Sequence, residues 1–273
     1  MRLFDLRKEM KETFTQHSLD DVDVDFIVSE VLDIPRTELA LVDEITGEDE
    51  SKIRHFCELR VNENMPIDKM FQRAYFYGLR LKVDDNVLSP RQDSEILVDT
   101  AIDLIKENDY HTMLDLCTGS GALAIAIKKN VPKLSVTASD ISAKALKIAR
   151  FNAKSNDVDI NFVRSDMFEK ITDKYDIIIS NPPYISSDDI SELDREVRDF
   201  DPHIALDGGD MGLKYYNIIH DNARQHLNES GMLVLEIGYD QRRLVTDLFI
   251  DFELIDCVKD LNGIDRVLVL KKI

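Results

Sequence analysis

The fold of this 273-residue chain is decided by the stretch Thr112-Met113-Leu114-Asp115-Leu116-Cys117-Thr118-Gly119-Ser120-Gly121. Its apolar first half predicts a buried strand, and its small residues predict a tight turn that opens a helix. Glycine adopts positive φ at little cost and lets a backbone approach a ligand closely. The stretch therefore predicts a nucleotide-like ligand at the carboxyl end of a strand, although a turn of this kind can also serve tight packing alone.

Strands and helices alternate from this stretch to the end of the chain. Apolar runs predict strands at residues 112–117, 134–139, 160–164, 175–180, 232–237, 252–258 and 266–270, and helices at 122–129, 143–154, 214–227 and 242–250. This pattern predicts an α/β, Rossmann-like sheet of seven strands covered by helices on both faces. Residues 259–265 are too few for a parallel crossover, so we expect the last strand to be antiparallel.

The first part of the chain has a different pattern. Apolar residues recur at helical spacing between Phe26 and Leu32, and Thr46 with Asp49 resembles a capping box. Gly78 separates two short apolar runs, which predicts a hairpin. We therefore expect an N-terminal helical domain at residues 1–70, a β-hairpin linker at 71–90 and an α/β domain at 91–273, with a helix over about 93–106.

Composition argues against several classes of protein. The chain has 53 acidic and 34 basic residues, a formal net charge of -19, which disfavours binding to DNA. The three cysteines, Cys57, Cys117 and Cys257, are far apart in sequence, which disfavours a disulfide framework or a zinc site. No apolar run approaches the ~20 residues of a membrane span, and the N-terminus resembles no export signal. We expect a cytoplasmic protein without a metal or a membrane partner.

Carboxylates at the strand ends suggest which nucleotide is bound. Asp140 follows the second predicted strand, where it can accept hydrogen bonds from both hydroxyls of a ribose. Asp115 suits the ammonium or sulfonium of S-adenosyl-L-methionine and would repel a pyrophosphate. Asp166 and Met167, after the third strand, offer an acceptor for the adenine amino group and an apolar surface for its ring. However, Gly119 and Gly121 with Asp140 also satisfy the dinucleotide fingerprint, and Asp166 alone is equally a helix N-cap.

A rigid polar turn follows the fourth predicted strand of the sheet. Asn181-Pro182-Pro183-Tyr184 comes directly after residues 175–180, whose carboxyl end should face the same crevice as the cofactor turn. The prolines fix the backbone, and Pro182 holds Asn181 extended. The Asn181 side chain and nearby carbonyls then form an acceptor array for an NH2 group, and Tyr184 can stack on a planar amide or base. The turn predicts methylation of an amide or amino nitrogen.

Together these residues resemble the protein-(glutamine-N5) methyltransferases of the HemK/PrmC type, which act on peptide chain release factors. The similarity covers almost the whole chain. Besides the two turns, the matching segments are Phe76-Tyr77-Gly78-Leu79, Pro90-Arg91 with Asp93 and Glu95, Asp201-Pro202 through Ala205-Leu206-Asp207-Gly208-Gly209, and Gly263-x-Asp265-Arg266. The resemblance implies a class I methyltransferase fold.

The resemblance also implies roles for individual residues. It implies that the target is the glutamine of a Gly-Gly-Gln loop, with Asn181 and the Pro182 carbonyl holding its amide and Tyr184 packing against it. Pro183 completes the substrate-binding turn, which its ring stiffens. The cofactor-binding residues implied by the resemblance are Thr118, Gly119, Ser120, Gly121, Asp140, Met167 and Asn181, to which the local sequence adds Asp115, Cys117 and Asp166. The chain departs from the family in having Cys117 where glycine is usual and Met167 where an aromatic residue is common.

Three other functions are compatible with part of the pattern. An adenine-N6 DNA methyltransferase presents the same Asn181 to Tyr184 turn to a flipped base, but it needs a basic groove that the sequence lacks. An NAD-dependent oxidoreductase would use the Gly119 turn and leave the Asn181 turn without a role. A catalytically silent protein that binds the ribosome or a release factor is disfavoured because Asn181 and Tyr184 are both present.

Overall fold

A computed structural model describes residues 1–273 and divides the chain into two compact units. The first comprises Met1–Gln72 with Arg195–Phe200, and the second comprises Arg73–Asp194 with Asp201–Ile273. The helices are α1 (Leu3–Gln16), α2 (Val22–Leu32), α3 (Gly47–Glu63), α4 (Ile67–Phe71), α5 (Glu95–Glu107), α6 (Ala122–Asn130), α7 (Ala143–Ser155), α8 (Arg195–Arg198), α9 (Lys214–His226) and α10 (Arg242–Leu248). None of them is both long and apolar enough to cross a membrane.

The strands alternate with these helices in the second unit. They are β1 (Arg73–Phe76), β2 (Leu79–Lys82), β3 (Thr112–Leu116), β4 (Ser135–Asp140), β5 (Asn161–Arg164), β6 (Tyr175–Ser180), β7 (Leu227–Glu236), β8 (Phe252–Lys259) and β9 (Asp265–Lys272). The largest difference from the predicted bounds is at β7, which begins five residues before Met232. The intervening residues 228–231 are polar or glycine and give no strand pattern, but Leu227 is buried and pairs with Tyr175 across a bulge.

The first unit is a small helical domain with its own apolar core. Leu3, Leu6 and Phe14 of α1 pack with Ile27 of α2 and Ile53 of α3, and all five are fully buried. Helix α3 begins with the expected cap, because the Thr46 hydroxyl accepts a hydrogen bond of 3.1 Å from the Asp49 backbone N–H. The short helix α8 also belongs to this unit, where Glu196 forms an ion pair of 2.7 Å with Arg60 of α3.

The predicted hairpin is present at the start of the second unit. Strands β1 and β2 pair antiparallel with Phe76 opposite Leu79. The two residues between them, Tyr77 and Gly78, have φ values of 50° and 72°. Two consecutive positive φ values are the geometry of the type I′ turn, which matches the twist of a two-stranded ribbon.

The large sheet has seven strands in the order β5-β4-β3-β6-β7-β9-β8. All neighbouring pairs are parallel except the two that involve β9, which is antiparallel to β7 and to β8. Apolar cores cover both faces of the sheet: α5 and α6 pack on the side of Met113, whereas α9 and α10 pack on the side of Leu114. The predicted α/β sheet with an antiparallel last strand is therefore confirmed.

The topology places one crevice at the middle of this sheet. β3 lies between β4, which follows it in the chain, and β6. Helix α6, after β3, and helix α9, between β6 and β7, pack on opposite faces. Loops that leave two such neighbouring strands diverge to opposite faces, so that a crevice opens outside their carboxyl ends. The turn after β3 and the Asn181 loop after β6 therefore border the same crevice.

Asn152 of α7 ties three backbone segments together at this end of the sheet. Its side chain is 1% exposed. Its Oδ1 accepts a hydrogen bond of 2.7 Å from the Lys82 N–H, and its Nδ2 donates to the carbonyls of Lys82 and Ser120, each at 2.9 Å. One amide thus joins the end of the hairpin and the turn after β3 to α7.

We predict that Asn152→Ala lowers the free energy of unfolding by about 2–3 kcal/mol, because it leaves buried peptide groups of Lys82 and Ser120 without partners. Urea denaturation measures this change. Asn217→Ala is the control, since the Asn217 amide makes only a local 2.8 Å bond to Leu213 on the exposed side of α9. Equal losses of stability in the two variants would mean that Asn152 does not hold the hairpin and the turn after β3 to α7.

Candidate active site

The turn after β3 has alternating left-handed backbone. Cys117, Gly119 and Gly121 have φ values of 60°, 53° and 83°. The Thr118 N–H donates to the Ser139 carbonyl at 2.9 Å, and the Gly121 N–H donates to the Thr118 carbonyl at 2.8 Å. These bonds hold the turn against β4 and direct the chain into α6 at Ala122.

The two glycines of the turn have different surroundings. A Cβ added at Gly119 would meet nothing within 4 Å, whereas one added at Gly121 would lie 3.1 Å from the side chains of both Ala149 and Ile125. Gly121 is therefore required by the packing of α6 on α7 as well as by its positive φ. Gly119 faces open space and leaves its backbone accessible to a ligand.

Asp140 is held rigidly at the end of β4. Its Oδ2 accepts a hydrogen bond of 2.9 Å from the Gly119 N–H, and its Oδ1 accepts one of 2.8 Å from the Ser142 N–H. Burial raises the pKa of the Asp140 carboxyl, and these backbone N–H groups oppose that rise. A carboxylate held in this way keeps lone pairs that can accept hydrogen bonds from ligand hydroxyls.

Asp115 lies beneath the turn and is completely buried. Its Oδ2 accepts a hydrogen bond of 2.6 Å from the Thr118 hydroxyl, whereas its Oδ1 has no hydrogen-bond partner. Burial is the main reason that the pKa of Asp115 is raised to about 7. An unpartnered buried carboxylate oxygen is costly, and a nearby cationic group would offset that cost.

A cleft opens beside these groups at the carboxyl ends of β3, β4 and β6. The predicted site residues that line it are Cys117, Gly119, Asp140, Asp166, Met167, Asn181 and Pro183. A smaller recess is lined by Thr118, Ser120 and Asn181, among others. Asp115, Gly121, Pro182 and Tyr184 lie on neither wall. The structure has no cluster of His, Cys, Asp and Glu side chains that could hold a metal ion.

Sequence reasoning missed part of the cleft wall. Residues 86–88, after the hairpin, line it, as do Pro202, Ile204 and Tyr215. These residues carry no reactive group and follow no strand end, so their chemistry gives no signal. In the sequence, only the similarity of the Asp201 to Gly209 segment to the family marks part of this wall, because the segment contains Pro202 and Ile204.

The Asn181 to Tyr184 turn divides its residues between the cleft and the interior. Asn181 lines the cleft, and its Nδ2 donates to the Ser94 hydroxyl at 3.3 Å. The Tyr184 ring packs against the apolar core on the α9 side of the sheet, and its hydroxyl lies 3.4 Å from Glu236 Oε1. Burial raises the pKa of Tyr184 well above its usual value, so the phenol stays protonated and able to donate.

The segment around Gly208 packs against this turn and forms hydrogen bonds with Ile185, the residue that follows it. The Gly208 N–H donates to the Ile185 carbonyl at 2.7 Å, and the Ile185 N–H donates to the Leu206 carbonyl at 3.0 Å. A Cβ at Gly208 would lie 2.8 Å from the Pro183 carbonyl oxygen and from the Tyr184 Cα. Only glycine therefore allows this close approach.

Arg91 pairs with a buried carboxylate of the same unit. Its Nη2 lies 2.8 Å from Asp201 Oδ2, and the Ser89 N–H donates to the other oxygen of Asp201 at 3.3 Å. The Asp201 side chain is 1% exposed. The pair connects the segment after the hairpin to the start of the Asp201 to Gly209 segment.

Comparisons with known proteins identify relatives along the whole chain. Residues 91–195 match the family model described as "Methyltransferase small domain". A release factor glutamine methyltransferase from Agrobacterium fabrum is 40% identical over 92% of this chain and 90% of that protein. Another, from Streptococcus pneumoniae, is 37% identical over 99% of this chain and 98% of that protein.

Solved structures share the fold over much of the chain. The 16S rRNA N2 G1207 methyltransferase of Thermus thermophilus, solved with AdoMet and guanosine, superposes with a TM-score of 0.51 at 16% identity. The alignment covers 74% of this chain and 50% of that protein. The sheet is therefore the class I methyltransferase sheet that the resemblance implied.

We predict that Cys117→Gly is more stable than Cys117→Ala by about 0.5–1 kcal/mol. Both substitutions remove the thiol, but only alanine keeps the Cβ that makes the left-handed backbone at residue 117 unfavourable. Thermal or urea unfolding of the two variants measures the difference. A more stable alanine variant would contradict the positive φ at this residue.

Proposed function

This chain belongs to the family of release factor glutamine methyltransferases, and we propose that it methylates the side-chain amide nitrogen (N5) of the glutamine in the Gly-Gly-Gln motif of a peptide chain release factor. S-adenosyl-L-methionine is the proposed methyl donor, and the cytoplasm is the proposed location. The observation that supports the site best is that Asn181 lines both the cleft and the smaller recess. An acceptor group on Asn181 can therefore hold the amide nitrogen of a substrate that enters the recess, next to a methyl donor bound in the cleft.

The cleft residues fit adenosylmethionine. Asp140 is positioned to accept hydrogen bonds from ribose hydroxyls, and the backbone at Gly119 is open to the ligand. Met167 and Asp166 line the cleft where an adenine ring needs an apolar surface and an acceptor. The unpartnered Oδ1 of Asp115 favours a ligand with a positive charge rather than a pyrophosphate. Cys117, Thr118, Ser120 and Gly121 would complete the turn that holds the ligand.

The donor, when bound, supplies a methyl group on a positively charged sulfur. The protein must overcome the poor nucleophilicity of an amide nitrogen, whose lone pair is delocalised. We assign Asn181 Oδ1 and the Pro182 carbonyl as the acceptors that hold both amide hydrogens, which orients the lone pair toward the methyl group. Pro183 stiffens this array. The N-methylated amide is a strong acid and loses its extra proton to water, so no general base is required.

Tyr184 and the N-terminal domain are proposed to hold the substrate. The Tyr184 side chain is partly buried, with its hydroxyl anchored near Glu236, and its remaining ring surface can pack against the planar amide of glutamine. We assign recognition of the release factor to the helical domain at residues 1–70, to which the hairpin linker at 71–90 connects the α/β domain. The proposed partner is a protein rather than DNA, because the net charge of -19 opposes a polyphosphate.

We predict that the purified protein transfers label from methyl-labelled adenosylmethionine to a bacterial release factor. Replacing the glutamine of the Gly-Gly-Gln loop by alanine should abolish labelling, because the methyl-accepting amide is then absent. Scintillation counting and mass spectrometry of the loop peptide measure the product. Double-stranded DNA is the comparison substrate, and labelling of DNA with no labelling of the release factor would overturn the proposal.

A second prediction concerns Asn181. Asn181→Ala should lower kcat at least about 100-fold while changing the dissociation constant of adenosylmethionine less than about threefold, because the substitution removes a transition-state contact. Calorimetry and single-turnover kinetics separate the two quantities. Asn130→Ala is the control, since the Asn130 amide makes only a local bond to Ala126 of α6. Equal losses of binding and transfer would mean that Asn181 mainly builds the cofactor site.

A further inference from the structure

A chain of polar side chains runs from Asn181 into the protein interior. Asn181 Nδ2 donates to the Ser94 hydroxyl, and the Ser94 hydroxyl in turn favours the ionised form of Glu236 by hydrogen bonding. The Tyr184 hydroxyl approaches Glu236 Oε1 from the other side of the Asn181 turn at 3.4 Å. The Glu236 carboxyl, at the end of β7, is therefore linked to Tyr184 directly and to Asn181 through Ser94.

Glu236 is an unusual residue to find in this position. It is 3% exposed, and its Oε2 is inaccessible to solvent and has no hydrogen-bond partner in good geometry. Removing such a charge from water is costly unless the charge is paired and fully hydrogen-bonded. In the proposed function Glu236 contacts neither the cofactor nor the substrate, and it serves only to anchor the Tyr184 hydroxyl.

The direction of the hydrogen bonds follows from the number of protons. A serine hydroxyl has one proton, and an ionised carboxylate accepts hydrogen bonds but cannot donate them. When Ser94 directs its proton toward Glu236, only its lone pairs remain for Asn181. The Asn181 amide must then donate to Ser94 through Nδ2, which leaves Oδ1 as the acceptor on its other edge.

We propose that Ser94 and Glu236 are positioning residues that fix the orientation of the Asn181 amide, so that its oxygen rather than its NH2 group receives the substrate nitrogen. This inference rests on the proposed function. A flipped amide would present a donor to a substrate NH2 group and could not hold it. Glu236 acts at a distance through Ser94, and it anchors the Tyr184 hydroxyl in the same way.

Protonation of Glu236 would reverse the chain. A protonated carboxyl can donate to Ser94, whose own proton is then free to bond Asn181 Oδ1 and stabilise the flipped amide. Burial, the largest cause, raises the pKa of Glu236 to about 7, Ser94, Arg266 and Tyr184 oppose the rise, and Asp93 adds to it. Tyr216 donates its hydroxyl to the backbone carbonyl of Glu236, and Arg266 is itself paired with Asp260 and Asp93.

The sign of the pH effect follows from these groups. The productive orientation requires ionised Glu236, so kcat should be highest above the pKa of this carboxyl and fall as the pH drops below about 7. Tyr184 and Tyr216 stay protonated over this range because burial raises the pKa of both phenols. Arg266 keeps its charge, since its pKa is also raised.

We predict that Ser94→Ala lowers kcat about tenfold and leaves the dissociation constant of adenosylmethionine within about twofold of the wild-type value. Thr100→Val is the matched control, because it removes a hydroxyl from α5, the helix that directly follows Ser94, and that hydroxyl bonds only to the Ile96 carbonyl. Calorimetry and single-turnover methylation of a release factor measure the two quantities. Equal rates for Ser94→Ala and Thr100→Val would overturn the positioning role.

The pH profile of Glu236→Gln provides the readout that a purely structural role would not change. The profile is measured with adenosylmethionine saturating, because the positive charge of the bound donor lowers the pKa of Asp115, which burial otherwise raises to about 7. A glutamine can donate to Ser94 at every pH, so the variant should then have a low kcat without the acid limb that the wild type shows near pH 7. Asp176→Asn, a carboxyl-to-amide change at the opposite end of β6, should keep the wild-type acid limb. An acid limb retained in Glu236→Gln would overturn the proposal, and so would its loss in Asp176→Asn.

The outcome also separates this inference from the proposed function. If the wild type methylates no release factor, the proposed function fails. If the wild type is active but both Ser94→Ala and Glu236→Gln match it in rate and in pH profile, the function stands and only the positioning role fails.

Discussion

The parallel pairing of β3 between β4 and β6 is the constraint on which the rest of the structure depends. Parallel strands require crossover helices, and their carboxyl ends therefore meet at one edge of the sheet. Leu116 pairs with Ser139 on one side and with Ser180 on the other. The turn that begins at Cys117, the carboxylate of Asp140 and the amide of Asn181 are adjacent because these three strands end at the same level.

Around this edge the protein places charge where water is excluded. Asp115 and Glu236 are both buried, each has an oxygen without a hydrogen-bond partner, and burial raises the pKa of each to about 7. Each unsatisfied group costs about 1–3 kcal/mol, which the apolar cores on both faces of the sheet offset. Asp115 lies beneath the proposed cofactor turn, and Glu236 lies behind the Asn181 turn. Stability is thus reduced at the two places where a preorganised polar group is useful.

The tight turns show a similar compromise between backbone and side chain. Gly208 is required because a Cβ would collide with neighbouring backbone, and Gly121 combines a positive φ with tight surroundings. Cys117, in contrast, adopts a positive φ that glycine would adopt more easily. The thiol of Cys117 lies 3.7 Å from the sulfur of Met167, another residue with positive φ. Cys117 and Met167, two of the residues at which this chain departs from the pattern of its family, are therefore in contact, and they line the same cleft.

The sequence by itself determined the fold class and the location of the site. Alternating apolar runs predicted the sheet and its antiparallel last strand, because burial on both faces leaves a pattern that local sequence displays. The strand ends predicted Asp140, Asn181 and the glycine turn as neighbours, since the carboxyl ends of parallel strands meet. Only the tertiary structure decided what supports them. Ser94 meets Asn181 across 87 residues, and Asn152 joins Lys82 and Ser120. Such contacts depend on how helices pack on the sheet, and no periodicity or motif along the chain encodes that packing.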